Sequence, residues 1–353
     1  MGTRVTMHEV AQAAGVSTKT VSNVLRGAGG ASQSTRQRVL ETATRLGYRV
    51  NSGAAALRSG RHGAVALAIP TLQQPIFADL ASQLMRTAGD MRVVLELTGG
   101  ERERELALLA GSWRRQCDAL ILLPRAIDPA TQAEQAEGVV LVTEDGPAHL
   151  SRISCPAAAQ TVMVAGHLQQ LGCTRAAVLG VSEPADRWTE TCARGLRAAG
   201  IDVPPEAVIR LTEPDSVRGG VEAVTRLLHQ GPRVEAIVCH NDAVASGAAA
   251  TLQRRGARLP EDVVVIGRGD TETAAFASPG ITSVSCGAQA LAGELVRVVT
   301  EMLKSPSIQP ETVEVAPLLA IRESSAVSSL SSLPDREDRS SLPGSYPAAE
   351  PRG

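Results

Sequence analysis

The chain has 353 residues, 43% of them hydrophobic, and a net charge of −2. That length exceeds one small domain and implies two or three, and no run nears the roughly 20 apolar residues that cross a bilayer. The balance hides an asymmetry: residues 1–62 carry nine Arg or Lys against two acids, leaving the remainder net acidic, which fits a basic head that binds phosphates on a body that DNA repels.

The first elements are helical. Thr6 and Glu9 form a capping box opening the first helix, Ala11 is small where helices cross, and Gly15 supplies a turn with positive φ. Ser17 caps a second helix in which Val21 is the buried contact and Thr18, Lys19, Thr20, Ser22 and Asn23 are spread over the polar side. This is helix-turn-helix spacing, with short polar side chains and one cation presented to base edges in a major groove. A third helix, capped by Ser32 or Ser34, carries an apolar stripe of Val39, Leu40, Ala43 and Leu46 and ends at Gly47. Residues 1–50 are thus read as an all-α DNA-binding domain. Residues 51–63 are read as a hinge: Asn51 caps a short helix through Leu57, too short to stand alone, and Leu57 is either a minor-groove wedge or a plain linker contact.

From Ala64 the rhythm becomes strand, helix, strand. Strands are expected at Ala64–Ile69, Val93–Leu97, Ala119–Leu123 and Val139–Val142, with helices at Phe77–Gly89 and Arg102–Trp113. A second series follows, with helices Thr161–Leu171, Thr189–Ala199, Val217–Leu228 and Ala243–Arg254 and strands Ala176–Leu179, Val208–Arg210, Ala236–Cys239 and Val263–Ile266. Two α/β series predict two doubly wound lobes over 64–326, with a ligand cleft at the carboxyl ends of the strands. Residues 327–353 are Ser- and Pro-rich and are read as a disordered tail.

Enzyme chemistry finds little footing. Neither GxxxxGK nor GxGxxG is present, and His240 beside Asp242 has no nucleophile motif near it, so no catalytic residue is assigned. Six cysteines (117, 155, 173, 192, 239 and 286) lie far apart without CxxC spacing, which speaks for reduced thiols and against a disulfide framework or a zinc site. No cofactor and no metal is expected. Thr3, Arg4, Thr6, His8 and Glu9 interrupt any apolar signal core, so a cytoplasmic location is expected.

The segments VTMHEVAQAAGVSTKTVSNVL, STRQRVLETATRLGYRVN and ALRSGRHGAVALAIP resemble the lactose repressor/galactose repressor family of bacterial transcription regulators. The body matches more loosely but in order, through QPIFADL (74–80), HNDAVASG (240–247), RGARLPEDVVVIG (255–267), PGITSV (279–284) and IRES (321–324), the last standing for a closing strand. The resemblance implies a helix-turn-helix domain joined by a hinge to a periplasmic-binding-protein-like body. It implies double-stranded operator DNA, a small-molecule effector such as a sugar, a homodimer or a tetramer of paired dimers, and regulation generally by repression. Thr18, Lys19 and Asn23 match base-reading positions; Ser17, Thr20 and Ser22, with Thr6, suit phosphates or caps. Arg36 and Asn51 match backbone-contacting positions, and Leu57 matches a hinge leucine that opens a base step. Gln74, Phe77 and Asp242 match positions lining the effector cleft, Asp242 serving equally as a helix cap.

The chain also departs from the family pattern. Val50 stands for the usual proline, Gln74-Pro75 for Asn-Pro, and Gly267-Arg268-Gly269-Asp270 for Gly-aromatic-Asp-Asp. The usual arginine before the helix glycine is absent, with Cys192 three residues before Gly195 and Arg187 and Trp188 further upstream; Asp215 stands where an aromatic is common. Trp188 is either a ligand platform or a core plug, and Arg268 joins the cleft only if it turns inward. An ordinary sugar and an effector with a negative group both remain open. The competing expectation is a small-molecule-binding module whose head has lost DNA function.

Overall fold

The computed structural model describes residues 5–25, 30–48, 61–181, 186–211, 216–305 and 308–326. The expectations for Asn51, Leu57, Asp215 and the 327–353 tail lie outside those residues. Two compact units emerge, residues 1–63 and 64–353.

The first unit holds three helices, α1 (Met7–Ala14), α2 (Thr18–Leu25) and α3 (Gln33–Arg45). Val10, Ala11, Ala14, Val21, Val24, Val39 and Ala43 form its core. Small side chains let three short helices approach closely, so a few Val and Ala suffice where a larger domain would use Leu and Phe. Leu40, expected in the α3 stripe, is instead 44% exposed, while Thr42 is buried. The inward face of α3 therefore runs Val39, Thr42, Ala43 and Leu46, and Leu40 falls just off it at one further 100° step.

The second unit is two six-stranded sheets. The first contains β1 (Ala64–Ile69), β2 (Arg92–Leu97), β3 (Ala119–Leu122), β4 (Val139–Val142), β5 (Ser151–Ser154) and, much later, β11 (Thr312–Glu314), ordered β11-β5-β4-β3-β1-β2. All its pairings are parallel. Helices α4 (Pro75–Thr87), α5 (Arg102–Leu109) and α6 (Pro129–Gln132) connect them. The second sheet holds β6 (Ala176–Gly180), β7 (Val208–Arg210), β8 (Ala236–Cys239), β9 (Val264–Arg268), β10 (Thr282–Ser285) and β12 (Leu318–Ala320), ordered β12-β10-β9-β8-β6-β7, with β12 alone antiparallel. Its helices are α7 (Ala157–Gln170), α8 (Trp188–Ala198), α9 (Val217–Gln230), α10 (Asp242–Arg254) and α11 (Glu272–Ala275). The central strands β1, β3, β6 and β8 are buried along their whole length, as continuous apolar runs covered on both faces must be.

Helix α12 (Ala288–Lys304) follows β10 but packs Ala292, Leu295, Val298 and Val299 against the first sheet. The chain therefore passes between the lobes three times, at 155–156, 286–287 and 315–317.

Several elements differ from expectation. Helix α4 starts two residues early because Pro75 fits its first position. The helix expected over Arg102–Trp113 ends at Leu109, and a short 3-10 turn, Ser112–Arg115, follows Gly111 and buries Trp113. Helix α7 begins at Ala157, four residues before the expected Thr161. Elements β5, α6, α11, β10, β11 and α12 were not expected as elements. The closing strand is β12, just before IRES rather than in it; Ser324 instead accepts from Thr282 N at 2.9 Å and donates to Val265 O at 2.6 Å, stitching the segment to β9 and β10.

The glycine of HNDAVASG has a packing reason. A Cβ on Gly247 would lie 2.0 Å from the Val217 carbonyl oxygen, and one on Gly220 would lie 2.2 Å from that of Val244, so α9 and α10 cross backbone to backbone. Gly247→Ala is expected to destabilise the second lobe by about 2–3 kcal/mol, read as a lower unfolding temperature by scanning calorimetry; an unchanged transition would show that the helices separate freely.

Candidate nucleic-acid interface and ligand cleft

In the head, α1 opens with the expected capping box. Glu9 N donates to the Thr6 hydroxyl at 3.3 Å, and Thr6 N donates to the Glu9 carboxylate at 2.6 Å. These donors from Thr6 hold the Glu9 carboxyl below its usual range. Gly15 has φ +66° and Val16 N returns to Ala11 O at 3.0 Å, closing a Schellman-type turn. Ser17 then caps α2: Thr20 N donates to Ser17 Oγ at 3.1 Å, and the Ser17 and Thr20 hydroxyls lie 2.9 Å apart. Val21 and Val24 face inward. Lys19 and Asn23, four residues apart, share the opposite side; Thr18 and Lys19 are exposed, and Thr20, Ser22 and Asn23 half-buried. Arg36 is exposed on the second turn of α3, whose cap is Ser32. Thr6, Ser17 and Thr20 therefore spend hydroxyls on helix starts, while Thr18, Lys19 and Asn23 keep the outward face.

In the body, a cavity of about 260 Å³ is walled by both lobes. Every wall segment follows a strand: Pro70 to Leu80 after β1, Leu123 to Arg125 after β3, Val142 to Glu144 at β4, Ser154 and Cys155 at β5, Asp186 to Trp188 after β6, His240 and Asn241 after β8, Arg268 at the end of β9, and Ser285 to Gly287 at β10. Gln74, Phe77, Arg187, Trp188 and Arg268 all reach it. Arg268 turns inward because β9 runs to its position, two residues beyond the expected strand end. Its guanidinium carbon sits 5.3 Å from the Trp188 ring centroid, a cation–π contact. Trp188 belongs to the second lobe's core and also borders the cavity. His240 meets the Trp188 ring edge-on at 5.6 Å.

The acids of the wall are engaged in holding helices. Glu144 accepts from Ala157 N at 2.8 Å, at the start of α7. Asp186 accepts from Trp188 N at 3.2 Å and from the Thr189 hydroxyl at 2.7 Å, at the start of α8. Arg187 reaches from the second lobe to Asp145 of the first at 3.0 Å.

Asp242 lies elsewhere. It is 2% exposed and is not part of the cavity wall. Its carboxylate accepts from Ser283 Oγ at 2.6 Å, Thr271 N at 2.7 Å and Thr271 Oγ1 at 2.9 Å. Nor is it the helix cap, because Asn241 caps α10 by accepting from Val244 N at 2.9 Å. Burial pushes the Asp242 carboxyl above its usual range, with the three donors opposing. A Cβ at Gly267 would stand 2.3 Å from its Oδ1, so the glycine makes room for this carboxylate. The residues beside it, His240 and Asn241, supply the wall instead. Arg125 and Gln160 also line the cavity without having been singled out in the sequence, although Arg125 follows a strand expected there.

Residues 6–51 match the family model for bacterial regulatory proteins of the lacI family, and residues 165–325 match that for the periplasmic binding protein-like domain. The maltose regulon regulatory protein MalI of Escherichia coli (strain K12) is 30% identical over 272 residues, covering 74% of this chain and 79% of that protein. Catabolite control protein A of Priestia megaterium is 27% identical over 341 residues, covering 91% and 99%. The solved structure of the transcriptional regulator CelR in complex with cellobiose is 26% identical with a TM-score of 0.65, covering 91% of this chain and 100% of that one. The chain belongs to the lacI family of bacterial regulatory proteins. It is a DNA-binding transcriptional regulator with a small-molecule effector domain of periplasmic-binding-protein type. No helix among the described residues is long and apolar enough to cross a membrane.

The placement of Asp242 is testable. Asp242→Ala leaves three buried donors without an acceptor and is expected to cost about 2–4 kcal/mol in urea unfolding followed by Trp fluorescence. Full stability with only a loss of ligand affinity would return Asp242 to the cleft.

Proposed function

We propose that the chain acts in the cytoplasm as a homodimeric repressor on near-palindromic operator DNA. The outward face of α2, bearing Thr18, Lys19 and Asn23 opposite buried Val21 and Val24, is the observation that carries this reading. Those three side chains read base edges in the major groove. Ser22, Arg36 and Asn51 meet the phosphates, Thr6, Ser17 and Thr20 hold the helix starts that present this face, and Leu57 is assigned to the minor groove between the two heads. The nine bases of residues 1–62 supply the salt-dependent part of the affinity.

The effector class follows from the cavity. Arg125, Arg187 and Arg268 bring guanidinium groups to the wall, Arg187 paired with Asp145, whereas Glu144 and Asp186 are taken up by helix starts. Arg268 over Trp188 occupies a ring face on which a neutral sugar would stack. This arrangement supports a small hydroxylated metabolite carrying an acidic group, such as a sugar acid. Its binding changes the angle between the lobes, with a coupling of roughly 1–3 kcal/mol to operator affinity.

Lys19→Ala is expected to weaken binding to the chain's own operator about tenfold or more in gel-shift titrations, with a much smaller loss on random duplex. Equal losses on both would make Lys19 a phosphate contact, and no retention of any upstream fragment at low salt would leave only a ligand-binding module. In a thermal-shift screen, sugar acids are expected to raise the melting temperature and neutral sugars are not. Arg268→Ala is expected to abolish that rise; an undiminished rise would place the anion elsewhere.

A further inference from the structure

The cavity has two unlike walls. The first lobe brings Ile76, Phe77 and Leu80 of α4, Leu123 and Val142 at the ends of β3 and β4, and Leu291 of α12. These side chains make one apolar surface. Phe77 and Leu80 share a helix face, and Leu122 of β3 pairs with Leu141 of β4, so Leu123 and Val142 are the next residues of neighbouring strands. All but Ile76 belong to a single core cluster of that lobe, and Phe77, Val142 and Leu291 are only half-buried by it. The first lobe also contributes Gln74, Arg125, Thr143, Glu144 and Ser154, of which Glu144 is spent on Ala157 N.

The second lobe faces it with polar side chains: Gln160 of α7, His240 and Asn241 after β8, and Arg268 and Ser285 at the ends of β9 and β10. The large apolar residue on that side, Trp188, carries the Arg268 guanidinium against its ring. Gln160 marks the polar wall most sharply. It is 5% exposed, its Nε2 donates to Cys155 O at 2.6 Å, and its Oε1 is a buried acceptor with no hydrogen-bond partner among the described residues. Such an acceptor is costly unless a donor reaches it, and a ligand hydroxyl is a donor.

We propose that the effector is a two-faced, single-ring hydroxy acid: its acid group meets Arg268, a hydroxyl donates to Gln160, and a hydrocarbon edge lies on the first lobe's apolar wall. Deoxy sugar acids and hydroxylated alicyclic acids have this chemistry. The inference rests on the acidic-metabolite reading and narrows it. A ring hydroxylated on every side would press hydroxyls onto Phe77, Val142 and Leu291, where they lose water and gain no partner. An acid without hydroxyls would leave Gln160 Oε1 unpaired. The volume of about 260 Å³ lies below the roughly 300–1,000 Å³ of pockets for drug-sized ligands, which suits one ring.

The test is titration calorimetry of the full chain with the two-faced acids shikimate and quinate, with glucuronate as the acid hydroxylated all round, and with cyclohexanecarboxylate as the acid without hydroxyls. Shikimate or quinate is expected to bind at least about tenfold tighter than either of the other two, with a negative heat-capacity change from the buried edge. Phe77→Asn, and independently Leu291→Asn on another helix, are expected to remove most of that advantage and leave glucuronate within about twofold. Gln160→Leu is expected to weaken the hydroxylated acids and leave cyclohexanecarboxylate unchanged, whereas a general disturbance of the cleft would weaken all of them alike. The proposal is overturned if glucuronate binds as tightly as the two-faced acids, or if the variants weaken every acid equally; both results leave the acidic-metabolite reading standing. If none of the acids binds, or if Arg268→Ala leaves their affinities intact, that reading falls and this one with it.

Discussion

Parallel strands force each connection to return over a sheet face, so all their carboxyl ends open along one edge. In this body two such edges face each other, and the three crossings between lobes run beside them. Everything that can touch a ligand follows from that constraint. The cavity wall is a set of short segments at or just past strand ends. Arg268 is the clearest instance: β9 carries its pairing to that residue, and the side chain then lies against Trp188.

Two buried carboxylates stiffen this edge without touching the cavity. Asp242 ties the first turn of α10 to Thr271 and to Ser283 of β10. Glu105 of α5 accepts from the backbone N–H groups of Arg125, Ala126 and Ile127, fixing the loop that brings Arg125 to the wall. In both, desolvation raises the carboxyl pKa while the donors oppose it. A buried acid surrounded by donors is a costly way to hold a loop, and it is used where backbone amides would otherwise go unpaired next to a hydrated cleft.

The head was legible because its signals are local: a capping box, a turn glycine and a valine spacing all lie within a single stretch of 20 or so residues. The strands of the body were legible as apolar runs for the same reason. What escaped depended on distance in sequence. Helix α12 has an apolar face, but its partner sheet precedes it by most of the body. Strands β5 and β11 are short and polar in part, and they are held by pairing, β5 between β4 and β11 and β11 on the edge beside β5. Asp242 was visible as an acid at a helix start, but its acceptance from Thr271 and Ser283 requires the α10, β9 and β10 ends to meet.

Three short crossings and a few side-chain bridges, among them Glu144 to Ala157 N and Arg187 to Asp145, join the lobes. The Arg187–Asp145 pair bridges them at 3.0 Å, but both side chains are about half exposed, so it contributes no more than about 1 kcal/mol. The crossings themselves are two or three residues each, hinges rather than packed interfaces. A ligand that touches both walls of such a joint can bias its arrangement only through differential contacts. Of the cations on the wall, Arg125 comes from the first lobe and Arg187 and Arg268 from the second, Arg187 being paired with Asp145 of the first lobe.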